Sequence, residues 1–137
     1  MYLLDTNVVS EWRKGARANR GVLSFMREKR GARADVYISS ITLGELRHGI
    51  ELVRHSGDGP QTLLLERWLQ EVTGAFGKIL PFDEIAAQVW GRLLVPHPEN
   101  SIDKQIAAIA LVNSLTVVTR NVSDFKPTGV RLENPFA

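Results

Sequence analysis

Cysteine is absent from the 137 residues of this sequence. That absence excludes a disulfide framework, a thiolate metal site and a thiol nucleophile, so any metal would have to be held by oxygen or imidazole ligands. Long apolar runs are absent too, since no stretch approaches the roughly 20 uncharged residues needed to span a bilayer. Residues 1–9 also lack the basic start and apolar core of a secretory signal, which predicts a cytoplasmic protein with no membrane segment.

The charge of the chain has no strong sign. Lys and Arg number 17 against 15 Asp and Glu, and the resulting net charge of +2 permits contact with nucleic acid without requiring it. With 44% hydrophobic and 23% charged residues, the composition is typical of a globular protein. The length predicts a single domain, residues 1–137, with a sizeable core.

Short apolar runs alternate with helical patterns along the chain. The runs predict strands at 2–5, 35–39, 78–82, 115–119 and, more weakly, 129–133. Apolar residues at helical spacing predict a helix between caps at Asn19 and Gly31, a hairpin of helices at 41–55 and 61–73, a helix after the N-cap Asp83, and a last long helix after the loop 96–101. This alternation predicts an α/β fold with a mostly parallel sheet and helices on both faces.

Four acidic residues fall where such a sheet would bind a ligand. Ligands in open parallel sheets bind outside the carboxyl ends of the strands. Asp5 ends the first strand, Glu45 lies in the first turns of the helix after the second, Asp103 opens the helix before the fourth, and Asp124 follows the fourth. Taken singly, each acid has an ordinary structural explanation as a cap, a turn residue or a partner of a helix dipole.

The neighbours of two acids favour a functional explanation. Glu45 lies close to Gly44 and Gly49, each of which costs a helix roughly 1 kcal/mol relative to Ala and leaves room for an ion or a backbone to approach. Asp103 begins a largely apolar helix that Ser101 could already cap, which suggests a second purpose for the acid.

If the four acids converge, the repulsion between their negative charges must be offset. Two like charges 4 Å apart repel by about 4 kcal/mol at an effective dielectric constant of 20, so the cluster would take up protons or bind a cation. Oxygen ligands alone suit Mg²⁺ or Mn²⁺. Such ions activate water and stabilise the charges that develop in phosphodiester hydrolysis, which is the chemistry that the acids predict.

The same segments resemble a known family. DTN after the first strand, ITLGELRHGI, the acid before IAAIAL, and VVTRNVSDFKPTGVRLENPF are together similar to PIN-domain ribonucleases, specifically VapC-type toxins of toxin–antitoxin pairs and their FitB-like branch. The resemblance implies a three-layer α/β/α fold with about five mostly parallel strands. It also implies an acidic pocket that binds Mg²⁺ or Mn²⁺ and hydrolysis of RNA by water.

The resemblance assigns roles residue by residue. The family's acids correspond to Asp5, Glu45, Asp103 and Asp124, with Asp5 and Asp103 expected as the principal metal ligands. The polar residue that orders the attacking water falls on Thr6 or Thr119, and Asn7 is expected to support the pocket.

Several basic residues are candidates for binding substrate. Arg120 either contacts the scissile phosphate or pairs with Asp124, and Lys104, where the family has a small or apolar residue, either reaches substrate phosphate or disturbs the pocket. The run of Arg13, Lys14, Arg17 and Arg20 is either an electrostatic track for RNA or a solvated helix face.

The resemblance also implies partners. Members of this class form homodimers and are inhibited by a small antitoxin that covers the acidic pocket. The helical hairpin, residues 41–73 with Trp68, is the candidate surface for both contacts, although its apolar residues could all be core.

Two other functions compete: a catalytically silent PIN fold that binds RNA or acts as a scaffold, and, more remotely, a phosphoacceptor receiver domain.

Overall fold

The computed structural model describes residues 1–32, 34–76 and 78–137. The strands are β1 (Tyr2–Leu4), β2 (Val36–Ser39), β3 (Ile79–Leu80), β4 (Thr116–Val118) and β5 (Leu132–Glu133). The helices are α1 (Thr6–Trp12), α2 (Arg20–Gly31), α3 (Ser40–His55), α4 (Gly59–Phe76), α5 (Glu84–Leu93), α6 (Ser101–Val112) and α7 (Val122–Phe125). All five predicted strands are confirmed, whereas the short helices α1 and α7 were not predicted.

The five strands form one parallel sheet in the order β3-β2-β1-β4-β5. In the central pairing, Leu3 lies opposite Val117 and Leu4 opposite Val118. Because every strand runs in the same direction, all carboxyl ends lie along one edge. The residues that follow β1, β2 and β4 are therefore brought together at that edge, as the sequence predicts.

Alternation along the central strands divides the apolar core between the two faces of the sheet. Leu4 and Val118 belong to a core covered by α1 to α4, whereas Leu3 and Val117 belong to a core covered by α5 to α7. All four side chains are fully buried. The result is the predicted three-layer α/β/α fold.

Helix starts follow the predicted capping residues, with one exception. Asn19 caps α2 and Asp83 caps α5, each by accepting hydrogen bonds from backbone N–H groups of the first turn. The expected cap by Ser101 is wrong, because Ser101 is already the first residue of α6. The preceding residue, Asn100, has a left-handed backbone with φ 56° and makes no side-chain cap.

Within the described residues, no helix combines the length and apolar character that crossing a membrane requires.

Candidate active site at the carboxyl edge of the sheet

Asp5 is the buried centre of the site, with only 3% of its surface exposed. Its Oδ1 accepts a hydrogen bond of 2.8 Å from the backbone N–H of Thr6, which caps α1. Its Oδ2 accepts from the Thr119 hydroxyl at 2.8 Å and from Asn7 Nδ2 at 3.2 Å. Both carboxylate oxygens are thus held by donors on α1 and by Thr119, which directly follows β4.

Thr119 and Asn7 extend this network to the segment after β4. The buried Thr119 hydroxyl accepts from the backbone N–H of Asn121 at 2.9 Å, and Asn7 Oδ1 accepts from the backbone N–H of Arg120 at 3.3 Å. Residues 120 and 121 are therefore fixed relative to Asp5, Arg120 through Asn7, which lies 113 positions away in the sequence, and Asn121 through its neighbour Thr119.

Glu45 is oriented by Thr6. The Thr6 hydroxyl donates to Glu45 Oε1 at 2.6 Å and lies 3.1 Å from the hydroxyl of Thr42. Thr42 is fully buried and its backbone N–H donates to Ser39, the residue that caps α3. The second turn of α3 consequently presents its acid towards the residue that follows Asp5.

Asp103 and Asp124 are held differently. Asp103 lies in the first turn of α6 and Asp124 within α7, both half-buried. In the described part of the chain neither carboxylate accepts a hydrogen bond from any protein group, in contrast to Asp5 and Glu45.

Mutual repulsion links the four acids. Burial and then the charges of Asp5, Asp124 and Glu45 raise the pKa of Asp103 to about 6. Burial likewise raises the pKa of Asp5, although hydrogen bonds from Thr119 and Thr6 oppose that change, and the charges of Glu45 and Asp124 add to it. The fold therefore brings the four predicted acids into one electrostatically coupled group.

No basic side chain neutralises this group. Across residues 1–32, 34–76 and 78–137, none of the four acids forms an ion pair with Lys, Arg or His. Over the same ranges, no three acidic or histidine side chains are placed to hold a metal ion directly. The donors present still fit Mg²⁺, because this ion keeps several waters and is commonly bound by only one or two carboxylates.

Lys104 does not extend into this site. Its side chain is buried, with 4% exposed, and its Nζ donates to the backbone carbonyl of His97 in the loop before α6. The ammonium therefore holds the loop against the helix, and its position lends no support to the expectation that Lys104 binds substrate. His97 itself is exposed and lies 3.4 Å from Glu99, consistent with a loop histidine.

The other basic candidates lie at the surface. Arg120 is exposed and does not form the alternative ion pair with Asp124; its guanidinium lies 4.9 Å from the ring centre of Phe136. Lys14 forms an ion pair of 2.9 Å with Glu11. Neither side chain forms an ion pair with one of the four acids of the site.

A groove leads from Glu45 along α1, α3 and α4. A cavity of about 250 Å³ is lined by Thr6, Glu45, Arg13, Trp68 and residues of the apolar face of α3. A second cavity of about 250 Å³ shares Arg13 and Trp68 and continues to Trp12. The predicted hairpin surface at Trp68 is thus open in part and continuous with the acidic site.

Two contributors to the site were not singled out from the sequence. Thr42 orients Thr6 from the first turn of α3, and its spacing of three residues from Ser39 is a capping signal that could have indicated its burial. Phe136 lies beneath Arg120, but nothing in the local sequence shows this contact because the two residues belong to different segments.

Comparison with known proteins agrees with this architecture. The model of the PIN domain family matches residues 2–128, so the chain belongs to the PIN domain family. Toxin FitB from Neisseria gonorrhoeae is 36% identical over 142 aligned positions that cover 99% of both proteins. VapC ribonuclease Y4jK from Sinorhizobium fredii is 32% identical and covers 99% of this chain and 98% of its own length. The chain is thus similar over nearly its whole length to one protein named a toxin and to one named a ribonuclease.

Solved structures show the same fold. FitAcB from Neisseria gonorrhoeae has a TM-score of 0.82 at 36% identity, with 98% of each chain covered. A member of the VapBC family of toxin–antitoxin systems from Mycobacterium tuberculosis, VapBC-5, has a TM-score of 0.62 at 25% identity, with 96% of this chain and 94% of that chain covered.

Proposed function

We propose that this protein is the toxin of a toxin–antitoxin pair and acts as a Mg²⁺- or Mn²⁺-dependent endoribonuclease. The observation that carries the proposal is the group of four mutually repelling carboxylates, which lacks a basic partner within the described residues. The family supports the substrate, since a relative that matches nearly the whole chain is named a VapC ribonuclease.

The four acids would divide the work. Asp5 and Asp103 would bind the ion directly, while Glu45 and Asp124 would act through bound water or hold a second ion. A bound Mg²⁺ or Mn²⁺ lowers the pKa of water and offsets negative charge that develops on a phosphodiester. This assignment agrees with the raised pKa values of Asp5 and Asp103, since a cation would offset both the burial and the repulsion that raise them.

The threonines would position the attacking water and the acids. Thr119 holds Asp5 through a hydrogen bond of 2.8 Å, and Thr6 holds Glu45 through one of 2.6 Å. Each acid can then accept further hydrogen bonds only from restricted directions. Asn7 supports this arrangement by joining Asp5 Oδ2 to the backbone N–H of Arg120.

The test is cleavage of single-stranded RNA with and without Mn²⁺. Wild-type protein is expected to cleave only with the metal, and Asp5→Asn should lose more than about 100-fold of this activity, because even outer partners of metal ligands contribute about 10- to 100-fold. Asp35→Asn is the matched control, since Asp35 is exposed and precedes β2 at the opposite edge of the sheet. Wild-type protein that binds RNA but never cleaves it would favour the silent RNA-binding module.

The groove beside Glu45 supports the antitoxin proposal. It is partly apolar, extends to Trp68, and connects with the acidic site. A helix of a small antitoxin that lies in this groove would also block substrate. Co-purification with a co-expressed antitoxin should be lost in Trp68→Ala and kept in Trp90→Ala, a residue on the opposite helical layer.

Two further properties follow from the same proposal. The protein would act in the cytoplasm, where RNA and an antitoxin are available. It would also form a homodimer, and sedimentation equilibrium would distinguish a dimer from a monomer.

A further inference from the structure

Residues 134–137 cross the start of α2 in a defined path. The side chain of Asn19, the cap of α2, accepts from the backbone N–H of Ala137 at 3.0 Å and donates to its carbonyl at 3.1 Å. Gly21 lies beneath this crossing, since a Cβ atom there would stand 2.0 Å from the carbonyl oxygen of Pro135. The segment is therefore held by specific contacts, and α2 can carry only glycine at this point.

The segment places Phe136 beneath Arg120. Phe136 packs against the core on the α1 to α4 side, and its ring centre lies 4.9 Å from the guanidinium carbon of Arg120. The backbone N–H of Arg120 is meanwhile held by Asn7, which also binds Asp5. The backbone of Arg120 is thus held by Asn7, which belongs to the acidic site, and its guanidinium packs against Phe136.

The position of Arg120 suits the backbone of a nucleic acid. It follows Thr119, whose hydroxyl is 2.8 Å from Asp5, and it remains exposed without an ion pair in the described part of the chain. A polyanion that approaches a group of carboxylates needs a nearby cation to reduce the repulsion. An arginine stacked on an aromatic ring keeps its N–H groups free at the edge, where they can bind phosphate.

We propose that Arg120 binds an RNA phosphate beside the four acids, and that Phe136, held by residues 134–137, is the positioning residue that directs it there. This inference rests on the proposed function for its substrate class. It adds Phe136 and residues 134–137, which form no hydrogen bond with the four acids.

The test measures binding of a fluorescein-labelled single-stranded RNA of mixed sequence by anisotropy, in an Asp5→Asn background that suppresses cleavage. Arg120→Ala should raise Kd about 10-fold and reduce the slope of log Kd against log salt by about 0.7, the value for one phosphate contact on single-stranded nucleic acid. Phe136→Leu should raise Kd about two- to fivefold with an unchanged salt slope, because the arginine remains but is less well placed. Phe136→Tyr should restore wild-type binding.

A double variant separates positioning from a general structural role. If Phe136 acts through Arg120, Phe136→Leu should have no further effect on Kd once Arg120→Ala is present. Gly21→Ala, which displaces the crossing segment without altering either residue, should resemble Phe136→Leu. Arg30→Ala is the matched control, because Arg30 stacks on Trp12 at 5.2 Å near the opposite end of α2.

Two results would overturn the positioning role of Phe136. One is that Phe136→Leu raises Kd equally with and without Arg120. The other is that Phe136→Leu binds RNA like the wild type while Arg120→Ala binds weakly. Wild-type binding in Arg120→Ala would overturn the phosphate contact. Because the readout is binding, these outcomes are independent of catalysis: a wild-type protein that fails to cleave RNA while the variants show the expected Kd pattern would reject the nuclease and leave this inference standing.

Discussion

The two halves of the acidic site are built in different ways. Asp5 and Glu45 are held by donors on α1 and by Thr119, which follows β4, whereas Asp103 and Asp124 accept no hydrogen bond from the described protein groups. Burial and then the charges of the other acids raise the pKa of Asp103 to about 6, and no donor opposes that rise, whereas hydrogen bonds from Thr119 and Thr6 partly oppose the rise at Asp5. The comparison indicates one preorganised half and one half that a cation would complete.

The largest effect is expected where the supported half is broken. Thr119→Val removes the hydroxyl that donates to the buried Asp5 while keeping the size of the side chain. Cleavage of RNA should fall about 10- to 100-fold, and the free energy of unfolding should fall by about 1–3 kcal/mol, because buried polar partners are left unpaired. Kinetic assays and urea denaturation measure the two quantities.

Thr116→Val is the control for that change. Thr116 begins β4, three residues before Thr119, but its side chain makes no hydrogen bond in the described structure, so activity and stability should stay close to wild type. Equal losses in both variants would show that the hydroxyl beside Asp5 has no special role.

A smaller effect is expected at the second supported acid. Thr6→Val removes the donor to Glu45 at the half-buried edge of the site, and activity should fall about 10-fold, since the loss resembles that of an outer partner of a metal ligand. Ser123→Ala, beside the unsupported Asp124, should leave the rate unchanged. A similar loss in the two variants would remove the distinction between the halves.

In metal-free protein, the raised pKa of Asp103 should make the stability of the folded state depend on pH. The pKa of Asp103 is about 6 when folded and near 3.8 when unfolded, so between these values the folded state binds more protons and stability falls as pH rises. Melting temperatures from pH 4 to 7 should show a decline that is smaller in Asp103→Asn. Because Asp103 is half-exposed, solvent screening will reduce the size of this difference. An identical pH profile in the variant would contradict the assigned pKa.

The smallest effect is expected at Lys104. Lys104→Met replaces a buried ammonium, whose Nζ donates to the His97 carbonyl and does not extend into the acidic site, by an apolar side chain of similar length. RNA cleavage should change less than about twofold, and the salt dependence of RNA binding should be unchanged. A reduced salt slope would restore Lys104 as a phosphate contact.

The sequence predicts the main features of the fold and of the site because both follow from strand direction. Once short apolar runs are recognised as parallel strands, residues that follow a strand and residues that begin a helix leading into one must meet at one edge, and Asp5, Glu45, Asp103 and Asp124 do so. Features that depend on contacts between distant segments were not predictable in this way.

Three such features illustrate the limit. The start of α6 depends on a left-handed residue, Asn100, which outweighs the capping preference of Ser101. Burial of Lys104 depends on the path of the loop that carries His97, and the place of Arg120 depends on Phe136 in the last segment of the chain. Local patterns carry no information on these pairings.

Diffraction at a wavelength sensitive to manganese, from crystals soaked in Mn²⁺, would show whether the four carboxylates bind a metal ion. We expect an anomalous peak among them, in direct contact with an oxygen of Asp5 or Asp103. An empty edge in a protein that still cleaves RNA with Mn²⁺, or a peak bound by other residues, would contradict it.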